Sequence, residues 1–171
     1  MQADEIAEED YQRHWDLLWN TQLGIRYHMH MQNFYNKFGK FVTAFTLILS
    51  TSAGAAIIAT TPEAAKVAAF SAAILQIIEL VMDSKSKTSL HTSLRQRYIN
   101  LESELSKYEH FSVSEAAKYK NIKAAIEVEE PPIKFSISEK CHNELVKVHK
   151  LDEEEKQPIS WFRRVFGIWY S

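Results

Sequence analysis

With 171 residues, the chain is long enough for one domain, or for a hairpin with a compact flanking module. Its formal net charge of −2 provides no basic field, so nucleic acid is not predicted as a partner. The single cysteine, Cys141, excludes an internal disulfide, and the low counts of four glycines and four prolines favour helices over strand-rich folds. We therefore expect an all-α fold.

The first predicted element is a long helix over Ala7–Lys40. Its apolar residues recur at close to helical spacing, and no proline interrupts it before Phe41. These apolar residues are Tyr11, Trp15, Leu18, Ile25 and Met29. We interpret residues 1–40 as a cytoplasmic helix that runs straight into the next segment, with Gly24 and Gly39 as soft points.

Two apolar segments follow, Phe41–Ala59 and Ala64–Met82, and only Thr60–Glu63 joins them. Each has about 19 residues, which at about 1.5 Å per helical residue crosses the roughly 30 Å hydrocarbon core of a bilayer. Because the connection is so short and contains Pro62, we interpret residues 41–59 and 64–82 as an antiparallel transmembrane hairpin in contact with the lipid bilayer. A buried hairpin in a soluble all-α structural protein is the alternative, although the first segment carries no charge on any face.

Basic residues indicate the orientation of this hairpin. They gather near its outer ends, and only Lys66 lies near the connecting loop. The residues at the outer ends are Arg26, Lys37, Lys40, Lys85, Lys87, Arg95 and Arg97. By the positive-inside rule, we expect both termini in the cytoplasm.

Small and polar residues form a row on each predicted span. Their spacing of three and four keeps each row on one helix face, where small residues let another helix approach closely. The rows are Ala65, Ala69, Ala72, Gln76, Glu79 and Asp83 in the second span, and Thr43, Thr46, Ser50 and Gly54 in the first. The candidates for lining a pore or the hairpin are Thr46, Ser50, Gly54, Ala72, Gln76 and Glu79.

Glu79 is the one candidate in these rows with an ionisable side chain inside a predicted span. An ionisable residue in a span is by default a functional candidate, and a ring of Glu79 from several subunits would line the mouth of a cation-conducting pore. Two spans cannot enclose a water path alone, so this interpretation requires a homo-oligomer. The alternative is structural: an antiparallel hairpin places Glu79 near the depth of Lys40, and a carboxylate with a lysine partner needs no channel.

Residues 83–151 are predicted to form cytoplasmic helices that extend the hairpin as a stalk. An apolar seam recurs every three or four residues, and we expect it to pack on the first helix or on a neighbouring subunit. The seam residues are Leu90, Leu94, Tyr98, Leu101, Leu105 and Tyr108. Two capping boxes follow, at Ser112–Glu115 and Ser136–Glu139. They predict short helices over about Ser114–Glu129, ended by Pro131 and Pro132, and from the second box through Leu151.

The end of the chain combines acidic and aromatic residues. Residues 152–158 read as a solvated acidic linker, and residues 159–171 as an amphipathic tail. Trp161, Arg163, Arg164 and Trp169 are the predicted anchors at a membrane interface. Docking of the same aromatic side chains on the cytoplasmic helices is the equal alternative.

No pattern in the chain indicates catalysis, a cofactor or a metal. His28 and His30 are two residues apart, so their side chains diverge, whereas a helical metal site needs ligands four apart. Cys141 and His142 are adjacent and do not face each other on a helix. We expect a protein that is not an enzyme.

Several short motifs together resemble one bacterial family. They are Arg26-Tyr27-His28, Phe34-Tyr35, Glu79-Leu80-Val81, Glu127–Pro132, Cys141-His142-Asn143-Glu144 and Ile159–Arg164. In their order around a hairpin, they are similar to the SLATT family, a two-transmembrane effector domain associated with nucleotide-second-messenger (SMODS) and SLOG systems. The resemblance covers nearly the whole chain, although family members commonly carry aspartate where this chain has Glu79.

This resemblance implies a pore-forming effector in the bacterial inner membrane that acts in conflict or phage defence. It also implies a sensor or second-messenger-system protein as partner. For the motif residues, we favour a hydrogen-bonded cluster that joins the cytoplasmic helices. The residues concerned are Arg26, Tyr27, His28, Cys141, His142, Asn143 and Glu144. A membrane-anchored helical scaffold without pore activity is the alternative function.

Overall fold

The described part of the chain is helical. The structure, a computed structural model, describes residues 2–51 and 62–167, and side chains within 7–51 and 63–163. The helices are α1 (Gln2–Ser50), α2 (Pro62–Met82), α3 (Ser84–Leu105), α4 (Val113–Glu127), α5 (Phe135–Val148) and α6 (Trp161–Phe166), with a 3₁₀ turn at Glu153–Glu155. No strand occurs in residues 2–51 or 62–167, and the predicted all-α class is confirmed.

The chain divides into two compact units. Unit 1 comprises Met1–His30 and Thr92–Ser171, and unit 2 comprises Met31–His91. The boundaries fall inside α1 and α3, so each unit contains part of both helices. The predicted hairpin lies in unit 2, but residues 52–59 of its first span and residues 60–61 of its loop lie outside the described residues.

The core of unit 1 is built by packing α3 antiparallel to α1. Leu94, Leu101 and Leu105 of the predicted seam are buried, and His14 of α1 lies with Nε2 3.0 Å from the carbonyl oxygen of Leu105. Two partners were predicted for the seam, the first helix or a neighbouring subunit, and in the structure the seam packs on the first helix, α1. Tyr108 lies beyond the end of α3 and is 42% exposed, so it is not part of the buried seam.

The helix α1 continues without a break through Gly24, one of the two predicted soft points. A Cβ at Gly24 would lie 2.8 Å from the ring of Tyr98, which is buried. Glycine therefore permits the close approach of α1 and α3 at this crossing.

The buried face of α1 also differs from the predicted apolar stripe. None of Tyr11, Trp15, Leu18, Ile25 and Met29 is fully buried. The buried row is His14, Leu17, Thr21 and His28 instead. Polar side chains are tolerated there because each has a partner. Thr21 donates to the carbonyl of Leu17 at 2.7 Å, His14 contacts the carbonyl of Leu105, and His28 contacts the carboxylate of Glu130.

A capping box marks the start of α4 but not that of α5. The predicted box at Ser112 is confirmed, since its side chain accepts from the amide of Glu115 and the Glu115 carboxylate accepts from the amide of Ser112. The predicted box at Ser136 is wrong, because α5 begins at Phe135 and the Ser136 hydroxyl donates to the carbonyl of Gly167.

The helix α5 ends before Leu151, where the sequence placed its end. Lys150 adopts a positive φ of 54°, and the amide of Leu151 donates to the carbonyl of Val146 at 2.9 Å. This is the Schellman termination, here with lysine at the position that glycine usually takes.

In unit 2, α2 lies antiparallel to the end of α1. Asp83 separates α2 from α3 with a φ of 45°, and its Oδ1 accepts from the amide of Ser86, which caps α3. One helical stretch between Glu63 and Leu105 is apolar and long enough to cross a membrane, and none of its apolar window is buried. This stretch is the one found within the described residues, which include only positions 41–51 of the first predicted span.

Candidate functional site

The polar rows of the two predicted spans meet in unit 2 at one hydrogen bond. Gln76 Nε2 donates to Thr46 Oγ1 at 2.7 Å, and Thr46 in turn donates to the carbonyl of Val42 at 2.9 Å. Ser50 donates to the carbonyl of Leu47, Ala72 is half-buried, and Gly54 lies outside the described residues. The structure thus brings Gln76 and Thr46 together. Each hydroxyl of the first row, including that of Thr43, donates to a carbonyl of its own helix.

Glu79 is held by a neighbouring hydroxyl. Ser84 Oγ donates to Glu79 Oε2 at 2.7 Å, and a Cβ at Gly39 would lie 3.4 Å from Glu79 Oε1. The lysine partner considered for Glu79 is not found: within residues 2–51 and 62–167, no cation lies at ion-pair distance from it. Gly39, predicted as a soft point, is a second position where a small residue lets helices approach.

A surface cleft of about 410 Å³ opens beside Glu79. Its lining combines cationic, hydroxyl and apolar side chains from α1, α2 and α3, all within unit 2. Lys40 and Lys85 line it, together with Ser84 and Leu47. No carboxylate of the described residues lies at ion-pair distance from either lysine, so both ammonium groups are available to an anion.

Unit 1 contains a buried polar cluster that joins α1, α3 and the segment after α4. Glu130 Oε1 accepts from Tyr98 Oη at 2.6 Å and from His28 Nε2 at 3.1 Å. The side chain of His28 is fully buried, and that of Glu130 is 10% exposed. Since a carboxylate can only accept, both partners donate to it.

The electrostatics of this cluster follow from burial and hydrogen bonding. Burial raises the pKa of a carboxyl, but the hydrogen bonds from His28 and Tyr98 outweigh it and hold the pKa of Glu130 below its usual value. Burial, together with the hydrogen bond to Glu130, raises the pKa of Tyr98 far above its ordinary range. The cluster therefore keeps an ionised carboxylate between two donors at neutral pH.

A second carboxylate, Glu144 of α5, binds the same stretch of α1. His30 Nε2 lies 3.0 Å from both Glu144 oxygens, and Arg26 Nη1 lies 3.6 Å from Oε2. Next to it, Tyr27 Oη accepts from the amide of Lys134 at 3.0 Å. Residues 26–30 of α1 thus contact the segment before α5, α5 itself and Glu130.

The other motif residues on α5 do not join this cluster. His142 Nε2 lies 2.9 Å from the carbonyl oxygen of Glu155, and the Asn143 amide exchanges two 2.8 Å hydrogen bonds with the backbone of Gln157. They hold the acidic segment on α5. Cys141 is buried, and burial raises its pKa to about 12, so it stays a thiol at neutral pH. In the part of the chain that the structure describes, no group of three or more His, Cys, Asp or Glu side chains is placed to hold a metal.

The predicted membrane anchors are divided between docking and exposure. Trp161 and Phe162 are 72% and 56% exposed, whereas Arg163 Nη1 forms an ion pair with Glu139 of α5 at 2.9 Å. The backbone of α6 is therefore attached to α5 through polar contacts while its first two aromatic rings face outward. The side chain of Arg164 and all of Trp169 lie outside the described residues.

Sequence reasoning did not identify Glu130, Tyr98 or Ser84 as members of a polar site. One signal was present in the first helix: His14, Thr21 and His28 are seven residues apart and share one helix face. A regular row of polar residues in a helix facing an apolar seam indicates buried hydrogen bonds. The partners of His14 and His28 lie in distant parts of the chain, where no regular spacing of residues identifies them.

Comparisons of the chain with protein-family models, with curated proteins and with solved structures give no match. The similarity to the SLATT family therefore stays a prediction from motifs.

Proposed function

We propose that this protein is an oligomeric two-transmembrane effector of the bacterial inner membrane that acts in conflict or phage defence by permeabilising the membrane. The hairpin of residues 41–82 would insert with both chain termini in the cytoplasm. A sensor or second-messenger-system protein would activate it. The biological setting rests on the resemblance to the SLATT family, and the mechanism on the chemistry of unit 2.

Membrane insertion is supported by the surface of unit 2. Large apolar side chains are exposed along both helices, whereas a soluble monomer rarely exposes a contiguous apolar patch of more than a few hundred Å². The most exposed are Phe41, Leu47, Ile48, Val67, Phe70, Ile77, Leu80 and Val81, each at least 57% exposed. A bilayer would cover this surface without any change in fold.

Oligomerisation is supported by one observation in particular, the exposed amide of Gln76. Its Nε2 donates to Thr46, yet the residue is exposed within the apolar helix α2. A primary amide offers two donors and two acceptor sites, and hydrocarbon satisfies none of them. A second copy of the hairpin or a water-filled lumen would supply the missing partners. This is the observation that carries the proposal.

A membrane-anchored scaffold without pore activity is the second candidate. It is favoured by the internal satisfaction of Glu79, whose carboxylate accepts from Ser84 within the same chain. In that case the hairpin would serve as an anchor and the helices of unit 1 as an interaction module.

The test compares Gln76→Leu with the matched control Ile77→Leu in bacteria that express the chain. Ile77 is 61% exposed on the same helix, so the control changes an apolar lipid-facing position only. We expect the unsubstituted chain and the control to fractionate with membranes and to depolarise them. The Gln76 variant should fractionate in the same way and lose depolarisation.

Three results would count against the proposal. Recovery of the protein in the aqueous fraction would overturn membrane insertion. Equal depolarisation by both variants would show that the Gln76 side chain is not needed for conduction. A membrane location without depolarisation in any variant, even when the host is challenged with phage, would favour the scaffold.

A further inference from the structure

We infer that the cleft beside Glu79 binds the phosphate of an anionic phospholipid, with its headgroup between Lys40 and Lys85 and its acyl chain along Leu47. This inference rests on the proposed membrane insertion and names the lipid that the same unit would select. It does not depend on pore formation.

The charges in the cleft favour an anion. Lys40 and Lys85 both line it, and within the described ranges neither is paired with a carboxylate. Glu79 is the one carboxylate in this lining, and its Oε2 already accepts the Ser84 hydroxyl. Two cations facing a single hydrogen-bonded carboxylate leave the cleft with a positive charge that a phosphate would neutralise.

The volume of the cleft and its position relative to the predicted spans fit a lipid headgroup. Its volume of about 410 Å³ exceeds that of a phosphate ion and lies in the range of small-molecule sites. Lys40 directly precedes the apolar segment that begins at Phe41, and Lys85 follows the one that ends at Met82. Both ammonium groups therefore belong at the border of the hydrocarbon core, which is where lipid phosphates lie.

The apolar wall decides between a lipid and a free phosphate compound. Leu47 lines the cleft together with Ala44, and its side chain is 59% exposed. A soluble phosphate or nucleotide would leave this wall in water. A phospholipid would cover it with the first methylenes of its acyl chain, so the lining matches both ends of one molecule.

The test uses the full chain, extracted from membranes and placed in nanodiscs or detergent with phosphatidylglycerol or phosphatidylcholine. Native mass spectrometry counts the lipids that stay bound. We expect retention of phosphatidylglycerol over phosphatidylcholine. The variant Lys40→Gln/Lys85→Gln should lose about fivefold in phosphatidylglycerol affinity for each lysine removed. The matched control is Lys37→Gln/Lys87→Gln, which removes the same charge close by but outside the lining of the cleft.

Each outcome is decisive. Selective loss in the Lys40/Lys85 variant supports the inference. Equal loss in both double variants would show diffuse attraction and overturn it, as would equal retention of the two lipids. Displacement of the lipid by millimolar inorganic phosphate, in the unsubstituted chain only, would assign the cleft to a soluble phosphate instead. If the protein is recovered in the aqueous fraction and not in membranes, the proposed function itself fails. This result is distinct from a membrane-located protein that shows no lipid preference, which overturns only the lipid site.

Discussion

Unit 1 and unit 2 differ in the side chains that they bury and expose. In unit 1, the carboxylate of Glu130 is largely buried and accepts hydrogen bonds from His28 and Tyr98. In unit 2, large apolar side chains face outward, and Leu80 and Val81 are each 81% exposed. A buried polar cluster stabilises a fold in water only when every member has a partner, whereas an apolar exterior needs a covering that is itself apolar. This contrast is what the proposed membrane insertion of the hairpin predicts.

The largest expected effect comes from removing the shared carboxylate of unit 1. Glu130→Leu takes away the acceptor of two buried donors, and breaking a buried pair in this way costs about 3–5 kcal/mol. The matched control is Glu129→Leu, because Glu129 is 58% exposed and pairs with Arg97 at the surface. A surface pair contributes about 0–1 kcal/mol. Denaturant unfolding of the full chain in neutral detergent, monitored in unit 1, measures both, and equal losses would contradict the role of the cluster.

The same carboxylate predicts a pH dependence. The pKa of Glu130 is lower in the folded protein than its ordinary value of 4.5, since the hydrogen bonds of His28 and Tyr98 outweigh burial. Its contribution to stability is therefore present above about pH 4.5 and is lost as the pH falls through the lower folded pKa. Titration of the unfolding midpoint between pH 6 and 3 checks this. The isosteric Glu130→Gln should show a shallower decline, and an unchanged profile would exclude this linkage.

A pair of leucines tests the contrast between the two units directly. Leu94 is 1% exposed in unit 1, and Leu94→Ala should cost about 2–5 kcal/mol through lost burial and a cavity. Leu80 is 81% exposed in unit 2, and Leu80→Ala should stay within about 0.5 kcal/mol. Thermal unfolding in detergent compares the two. A large loss at Leu80 would mean that the outer face of α2 packs against protein.

Effects smaller than that of Leu94→Ala are expected at the two glycines of α1. A Cβ at Gly24 meets the ring of Tyr98 at 2.8 Å, and that ring is fixed by its bond to Glu130. Overpacking of about 1–3 kcal/mol should outweigh the roughly 1 kcal/mol that alanine adds to helix propensity, so Gly24→Ala destabilises.

The corresponding change at Gly39 should be close to neutral. Its Cβ would lie 3.2 Å from the Cβ of Ser84, a contact that a shift of a few tenths of an ångström relieves. Melting temperatures of Gly24→Ala and Gly39→Ala, measured side by side, test this order. A reversed order would show that Tyr98 is free to move.

Local features of the fold were predictable because they depend on neighbouring residues. The capping box at Ser112 satisfies helix amides within three residues, and it was confirmed. The similar pattern at Ser136 failed because its hydroxyl found an acceptor at Gly167, a contact set by tertiary packing. Likewise, Lys150 takes a positive φ that no residue preference predicts, and α5 ends earlier than its apolar spacing suggests.

By itself, the sequence determined that the chain is helical, that a long helix runs through residues 7–40, and that an apolar segment over residues 64–82 is long enough to span a membrane. These properties follow from composition and from periodicity within one element. Only the tertiary structure decided which side chains share a site. Glu130 meets His28 across 102 positions of the chain, and Gln76 meets Thr46 across 30. Such pairs depend on how the helices pack against each other. The spacing of residues within one helix does not predict which residue of another helix they will contact.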